Sequence, residues 1–350
     1  MKASTVYIVI LNWNGWRDTI ECLESVFRQS YENYRVVVLD NASTDGSVEK
    51  IIDWLDGRLL SETSAIDFLR PLSSPPIPKP LSYVVCQNPS ELHALELNQE
   101  QVLVVRTGGN LGFAGGNNVA LRWIVEREHG STVPVYAWLL NNDTVIAPDC
   151  LLNMVQHLQE KEKSGKYTCG SLVKFYQEPH IIQALGGAKF NYYTATGSQT
   201  IGRFLDEKTN LNHSAIAKEL DYITGCSWLL PVDFLKDIGV MEERYFLYYE
   251  EIDWIERSKH LYQITYAKNA IVYHKEGGSI GSKTINRKAP SLLSEFYMAR
   301  NKIEFMRKFY PLRLPIALMV ILLQAFNRLR QGHAKNALIL VKIFFGKRQY

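Results

Sequence analysis

With 350 residues, 46% of them hydrophobic and 21% charged, the chain has the composition of a folded protein with a large core plus a smaller attachment, which excludes a disordered or fibrous chain. Its five cysteines are odd in number, scattered and never spaced as CxxC, so neither a disulfide framework nor a zinc knuckle is indicated and a reducing compartment is expected. Net charge is +3, yet residues 305–350 carry nine basic and no acidic side chains, leaving −6 on the remainder; the tail is therefore expected to meet an anionic surface that the body does not.

The first apolar run stops at Asn12 and Trp13 without a small-residue cleavage site, so it reads as a buried strand and not a secretory leader, and a cytoplasmic protein is expected. Residues 5–12 and 34–40 are β-branched runs, each followed by turn residues and then by apolar residues at helical spacing. These are Ile20, Leu23, Val26 and Phe27 in the first case, and Val48, Ile51, Ile52 and Leu55 in the second. Strands apolar on both faces and alternating with helices predict an α/β fold, a mostly parallel sheet covered by helices.

Residues 58–100 contain PLSSPPIPKPLS, a proline density that predicts an irregular insertion and not a core element. The alternation resumes with a strand at 101–106, a helix from about Asn117 to Glu128, a strand at 135–141 and a helix opened by Pro148 and Asp149. Residues 166–280 give a mixed signal with one helical segment near Tyr249, and are expected to complete the site. A catalytic domain over 1–285 and a basic, apolar helical region over 286–350 follow. Within the latter, the uncharged stretch from Leu314 to Asn327 is 14 residues long, short of the roughly 20 that span a bilayer, so an interfacial helix is expected.

In an open parallel sheet, ligands bind beyond the carboxyl ends of the strands, where this sequence places Asn12, Asp40, Asn110 and Asp143. Asp40, followed by Asn41 in DNASTDGS, can accept hydrogen bonds from a base imide or from ribose hydroxyls, whereas Asp45 reads as a helix cap. The loop TGGNLGFAGGNN offers Gly112, Gly115 and Asn117 at a helix start, where backbone amides could receive a diphosphate. It matches neither GxGxxG after the first strand nor a loop ending in GK[ST], which removes the usual support for nicotinamide and Walker-type nucleotide sites. LLNNDTVI sets Asn141, Asn142 and Asp143 just past an apolar strand, a setting that suits a hard divalent cation bridging protein and diphosphate. In YFLYYEEIDWIE, Glu250, Glu251 and Asp253 crowd together among aromatic residues. Glu250 and Asp253 are expected to share a helix face and Glu251 to point elsewhere; crowding in an apolar cleft is expected to raise their pKa, as a general base requires. His274 ends the apolar strand of AIVYHKEGGS, and Gly225 and Cys226 fall in DYITGCSWLLP, where a buried turn is the competing reading.

Six segments, VILNWNGWRDTIECLESVFRQ, VVVLDNASTDGS, GNLGFAGGNN, WLLNNDTVIAPDCL, YFLYYEEIDW and IVYHKEGGS, occur in this order over residues 5–280. Together they resemble the family 2 glycosyltransferases of the GT-A fold, and within them the bacterial rhamnosyltransferase-like group. The resemblance implies an inverting, metal-dependent transfer using Mg²⁺ or Mn²⁺. It puts Asp40 at the nucleotide base, Asn141 and Asp143 at the metal-binding DxD position, His274 as a further metal ligand and Glu251 as the general base, with Gly225 and Cys226 near the donor sugar and acceptor. Two departures stand out: Asn141 replaces the first Asp of DxD, and the base position holds Glu251 where Asp is frequent, which leaves Glu250 or Asp253 as alternative bases. The donor implied is dTDP-rhamnose, with a UDP-hexose as the alternative, and the acceptor a cell-surface or polyprenyl-linked glycan at the inner face of the cell membrane.

The basic tail suits anionic lipid, while packing onto the body or against a second copy of the chain is the competing role. A nucleotidyltransferase would need a basic loop near the first strand, where only Arg17 stands. A non-catalytic sugar-nucleotide-binding scaffold would have no use for three crowded acids, and a nucleic-acid binder conflicts with the net acidic body.

Overall fold

The computed structural model describes residues 4–96, 101–276, 290–347 and 350; the expected domain boundary at 285/286, the end of the AIVYHKEGGS segment and Arg348 lie outside them. The elements run β1 (Thr5–Asn12), α1 (Trp16–Val26), β2 (Tyr34–Asp40), α2 (Ser47–Leu55), α3 (Arg70–Ser73), β3 (Tyr83–Cys86), α4 (Pro89–His93), β4 (Val102–Arg106), α5 (Gly112–Arg127), β5 (Val135–Asn141), β6 (Thr144–Ile146) and α6 (Cys150–Glu162). They continue with β7 (Tyr167–Phe175), β8 (Ile182–Leu185), β9 (Gly187–Asn191), β10 (Thr196–Thr200), α7 (His213–Lys218), β11 (Tyr222–Ile223), β12 (Ser227–Pro231), α8 (Val232–Ile238), α9 (Glu250–Ser258), β13 (Gln263–His274), α10 (Leu292–Phe309), α11 (Leu314–Arg330) and α12 (Ala334–Phe344).

The main sheet has the order β3-β4-β2-β1-β5-β12-β7-β13-β6, with β8 added on β7, and β9–β11 form a separate small sheet. Strands β3, β4, β2, β1 and β5 are parallel, and β12 runs antiparallel between β5 and β7. Alternation along β1 divides the core: Val6, Ile8 and Ile10 pack with α1, α2 and α6, whereas Tyr7 and Val9 pack with α5, α8 and α9. Both faces are buried, which is why these strands read as continuous apolar runs. Because the chain moves from β1 to β2 on one side and returns as β5 on the other, the strand order reverses at β1, and the crevice there is where such sheets bind ligands.

Three expectations change. The stretch 58–100 is not wholly outside the core, since β3 extends the main sheet by pairing in parallel with β4; four residues behind a proline-rich run are too few to show a period. Helix α5 begins at Gly112 and not near Asn117, so the glycines occupy its first turns. Helix α11 continues a single 3₁₀ turn, Pro311–Arg313, giving 20 residues, long and apolar enough to cross a membrane by length and composition. Its charged ends, omitted from the uncharged run, supply the additional length. One stripe, Ala317, Ile321 and Ala325, is buried, while Met319, Leu322, Leu323 and Phe326 are exposed.

Candidate active site

At the carboxyl ends of β1, β2 and β4 the predicted polar residues bond chiefly to one another. Asn12 donates to Asp40 Oδ1 at 2.9 Å and accepts from Thr19, and the Ser43 amide donates to Asp40 Oδ2. Asn41 donates to Asn110 Oδ1 and to the Gly112 carbonyl, and accepts from the Leu111 amide. Asn12, Asp40 and Asn41 are buried, whereas Asn110 and Leu111 at the edge of the network are exposed; together they hold the loop and the Asp40 carboxylate at the crevice.

Four residues expected at the nucleotide are engaged elsewhere. The Gly112 amide donates to Asn110 Oδ1 at 3.0 Å, and the neighbouring Phe113 amide donates to the Phe246 carbonyl at 2.7 Å. A Cβ on Gly112, whose φ is +71°, would stand 2.3 Å from that carbonyl, so this glycine admits the chain at 246 and its amide is not free for a phosphate. Gly115 is likewise crowded, its Cβ position lying 2.8 Å from Leu111 Cβ. Asn117 donates to the Phe113 carbonyl inside its own helix. Asn142, placed with the nucleotide from sequence, instead donates to Thr19 Oγ1 at 3.0 Å and ties the turn after β5 to α1.

The second half of the chain builds a cavity of about 630 Å³ beside this network. It brings together Asn141, Gly225, Cys226, Glu250, Glu251 and His274, six of the residues singled out from sequence. Antiparallel pairing of β12 with β5 sets Gly225 and Cys226 beside Asn141, whose amide donates to the Cys226 carbonyl at 2.9 Å. Burial pushes the Cys226 thiol up to about 12, so it is a wall of the cavity and not a nucleophile. Pairing of β13 with β6 places His274 opposite Thr144, and His274 Nε2 lies 3.2 Å from Asp143 Oδ1 while Nδ1 meets Gln183 Oε1 at 3.0 Å.

Asp143 and His274 fit a divalent cation. Two donors about 2.1 Å from an octahedral ion stand about 3 Å apart when adjacent, close to the observed separation. No group of three or more His, Cys, Asp or Glu suited to a metal occurs among the described residues, so this pair would share the ion with diphosphate oxygens. Burial disfavours the His274 imidazolium, but the neighbouring Asp143 carboxylate outweighs it and the net direction is upward.

Glu250 and Glu251 open α9 behind a strained turn, in which Phe246, Tyr248 and Tyr249 have φ of 65°, 68° and 78°, a left-handed conformation costly for aromatic residues unless the surroundings impose it. Asn301 of α10 imposes it, donating to the carbonyls of Tyr245, Leu247 and Tyr248 at 2.8, 2.8 and 2.9 Å. Phe246 stacks on Tyr297, and Tyr248 shares a hydrogen bond with Ser294.

Both glutamates line the cavity, contrary to the helical-face expectation, and Asp253 does not. Asp253 is fully buried, accepting from Arg257 at 2.7 Å, Lys308 at 2.6 Å and Tyr245 at 3.0 Å; it anchors α9 and is removed from the candidate bases. Burial raises the pKa of Glu250 well above the carboxylate range, helped by the adjacent Glu251 charge, and Glu250 Oε2 has no partner among the described residues. Burial also raises Glu251, opposed by its own amide and that of Gly225. A Cβ on Gly225 would stand 2.5 Å from Glu251 Oε1, so glycine is what allows the acid this close to the backbone. Gln183, Arg203, Thr224, Lys302 and Arg328 also line the cavity; none was singled out from sequence as a site residue, because they come from the mixed segment and from the tail.

The mostly parallel sheet, reversing at β1 and flanked by helices, has the GT-A fold. The same fold is seen in the mannosyltransferase PcManGT of Pyrobaculum calidifontis, solved with GDP-Man and Mn²⁺, at a TM-score of 0.51 and 12% identity over 99% of this chain and 89% of that one. Residues 7–62 match the family model Glycosyl transferase family 2. The chain is also 24% identical over 184 residues to the low-salt glycan biosynthesis hexosyltransferase Agl10 of Haloferax volcanii, a stretch covering 51% of this chain and 53% of that protein. This chain thus matches about half the length of that relative.

Proposed function

We propose that the chain transfers a sugar from a nucleoside-diphosphate sugar to an acceptor hydroxyl, with inversion, in the cavity between β5, β12, β13 and α9. The observation that supports this best is the buried acid pair at the start of α9, facing the cavity that Asn141 and His274 also line. Asp40, set by Asn12 and the Ser43 amide, receives the nucleoside. Glu251, whose pKa burial raises against two opposing amides, takes the proton of the acceptor hydroxyl as that oxygen bonds to the anomeric carbon and the bond to the diphosphate breaks. Glu250, kept protonated by burial, donates a hydrogen bond to the bound sugars. A Mg²⁺ or Mn²⁺ ion held by Asp143 and His274, with Asn141 beside them, would neutralise charge on the departing diphosphate.

The donor that the sequence resemblance favours is dTDP-rhamnose, followed by UDP-hexoses, and the acceptor is a lipid-linked or cell-surface glycan. The exposed apolar side of α11 and the nine basic residues after Glu304 support a peripheral position on an anionic membrane at its cytoplasmic face, each basic residue near such a surface contributing about 1 kcal/mol.

Replacing the base tests the chemistry. Glu251→Gln is expected to lower turnover by roughly 10²- to 10⁴-fold while donor affinity stays within a few-fold. Turnover close to wild type, measured as nucleoside diphosphate released, would remove Glu251 from the role.

A further inference from the structure

The cavity does not end at the acid pair. It continues between α10, α11 and α12, where Met298, Ala299, Lys302, Gln324, Arg328 and Leu340 line it. Its cationic lining residues are mostly matched. Arg203 pairs with Glu276 at 2.9 Å, Arg328 with Glu295 at 2.8 Å, and His274 with Asp143. Lys302 is the exception: it is only 3% exposed, forms no ion pair among the described residues, and its ammonium donates to one neutral acceptor, Gln324 Oε1, at 3.2 Å. Glu295 acts on it from further away but is already engaged by Arg328 and by Asn336 Nδ2.

A buried ammonium with three donors and one acceptor is destabilising unless something completes it. Burial lowers its pKa to about 8 against the pull of Glu295, as expected for a cation lacking a counter-ion. We infer that Lys302 and Gln324 form an anion subsite at the tail end of the cavity, which takes a phosphate-class group on the molecule whose hydroxyl reaches Glu251. This rests on the transferase reading for the hydroxyl at Glu251; the anion site itself stands on Lys302 alone. The phosphate could belong to a soluble phosphorylated acceptor or to a lipid headgroup, since α11 carries Gln324 and Arg328 into the cavity and exposes Leu322, Leu323 and Phe326 outside.

The test is calorimetric binding of inorganic pyrophosphate to the full chain with nucleoside diphosphate saturating the donor site. Wild type is expected to bind, Lys302→Arg to stay within a few-fold, and Lys302→Met to weaken binding about tenfold or more. Equal binding by Lys302→Met, or none by folded wild type, overturns the subsite. If Lys302→Met does not fold, the Lys302 side-chain nitrogen is titrated by NMR in wild type. A pKa that rises on adding pyrophosphate supports the subsite, and an unchanged one overturns it. Displacement of bound pyrophosphate by phosphatidylglycerol vesicles but not phosphatidylcholine vesicles supports the subsite with a lipid source; no displacement supports it with a soluble source. Donor binding is measured in parallel, so that loss of the transferase reading and loss of the subsite are told apart.

Discussion

At the carboxyl ends of β1, β2 and β4, Asn12, Asp40, Asn41 and Asn110 are fixed by one another and by neighbours in the same α/β units. At the start of α9, by contrast, Glu250 and Glu251 follow a strained turn whose carbonyls are held by Asn301, 53 to 56 positions further along the chain. The first region gains its geometry from the sheet, and losing one hydrogen bond leaves several others. The second has one amide against three carbonyls, in a backbone that ordinary residues avoid. Positioning of the acids is therefore expected to depend on the helical tail, and positioning of the nucleotide end is not.

Asn301→Ala breaks this arrangement with the largest expected effect. Displacement of the acids by about 1 Å can cost on the order of 10²-fold in rate, so kcat should fall by about that much while donor Kd changes little. Steady-state kinetics with direct donor titration would show it, and an unchanged kcat would mean that the turn holds itself. The pH profile comes next in size. Because burial raises the Glu251 pKa and the base must be ionised, kcat/KM should fall tenfold per unit below a midpoint above the ordinary carboxylate value of about 4.3. A midpoint at or below that value would place the base elsewhere. The smallest effect is expected for Lys308→Met, since Asp253 keeps Arg257 and Tyr245. Chemical denaturation should show a loss of about 1.5–3 kcal/mol, with activity nearly retained.

The same contrast explains what was legible in the sequence. Strand ends in the first half announce themselves, because β-branched runs closing on Asn or Asp need only a local pattern to be seen. Residues 250, 251 and 274 drew notice through chemistry and spacing, yet which acid faces the cavity depended on where α9 begins and on Lys308 reaching Asp253, neither of which has a local signal. Gln183, Asn301 and Lys302 were invisible for the same reason: each is an ordinary polar residue in its own segment and gains meaning only from a partner far along the chain. The glycines after β4 misled in the other direction, since Gly112 is needed to admit Phe246, a demand that leaves the same trace in sequence as a phosphate loop.

The most direct measurement of the central claim is release of nucleoside diphosphate by the purified chain, with Mg²⁺ or Mn²⁺, from a panel of dTDP- and UDP-sugars with and without chelator. Release from one donor, abolished by chelator, is the result expected of a metal-assisted sugar transferase. Failure of every donor both to bind and to release its diphosphate would contradict it.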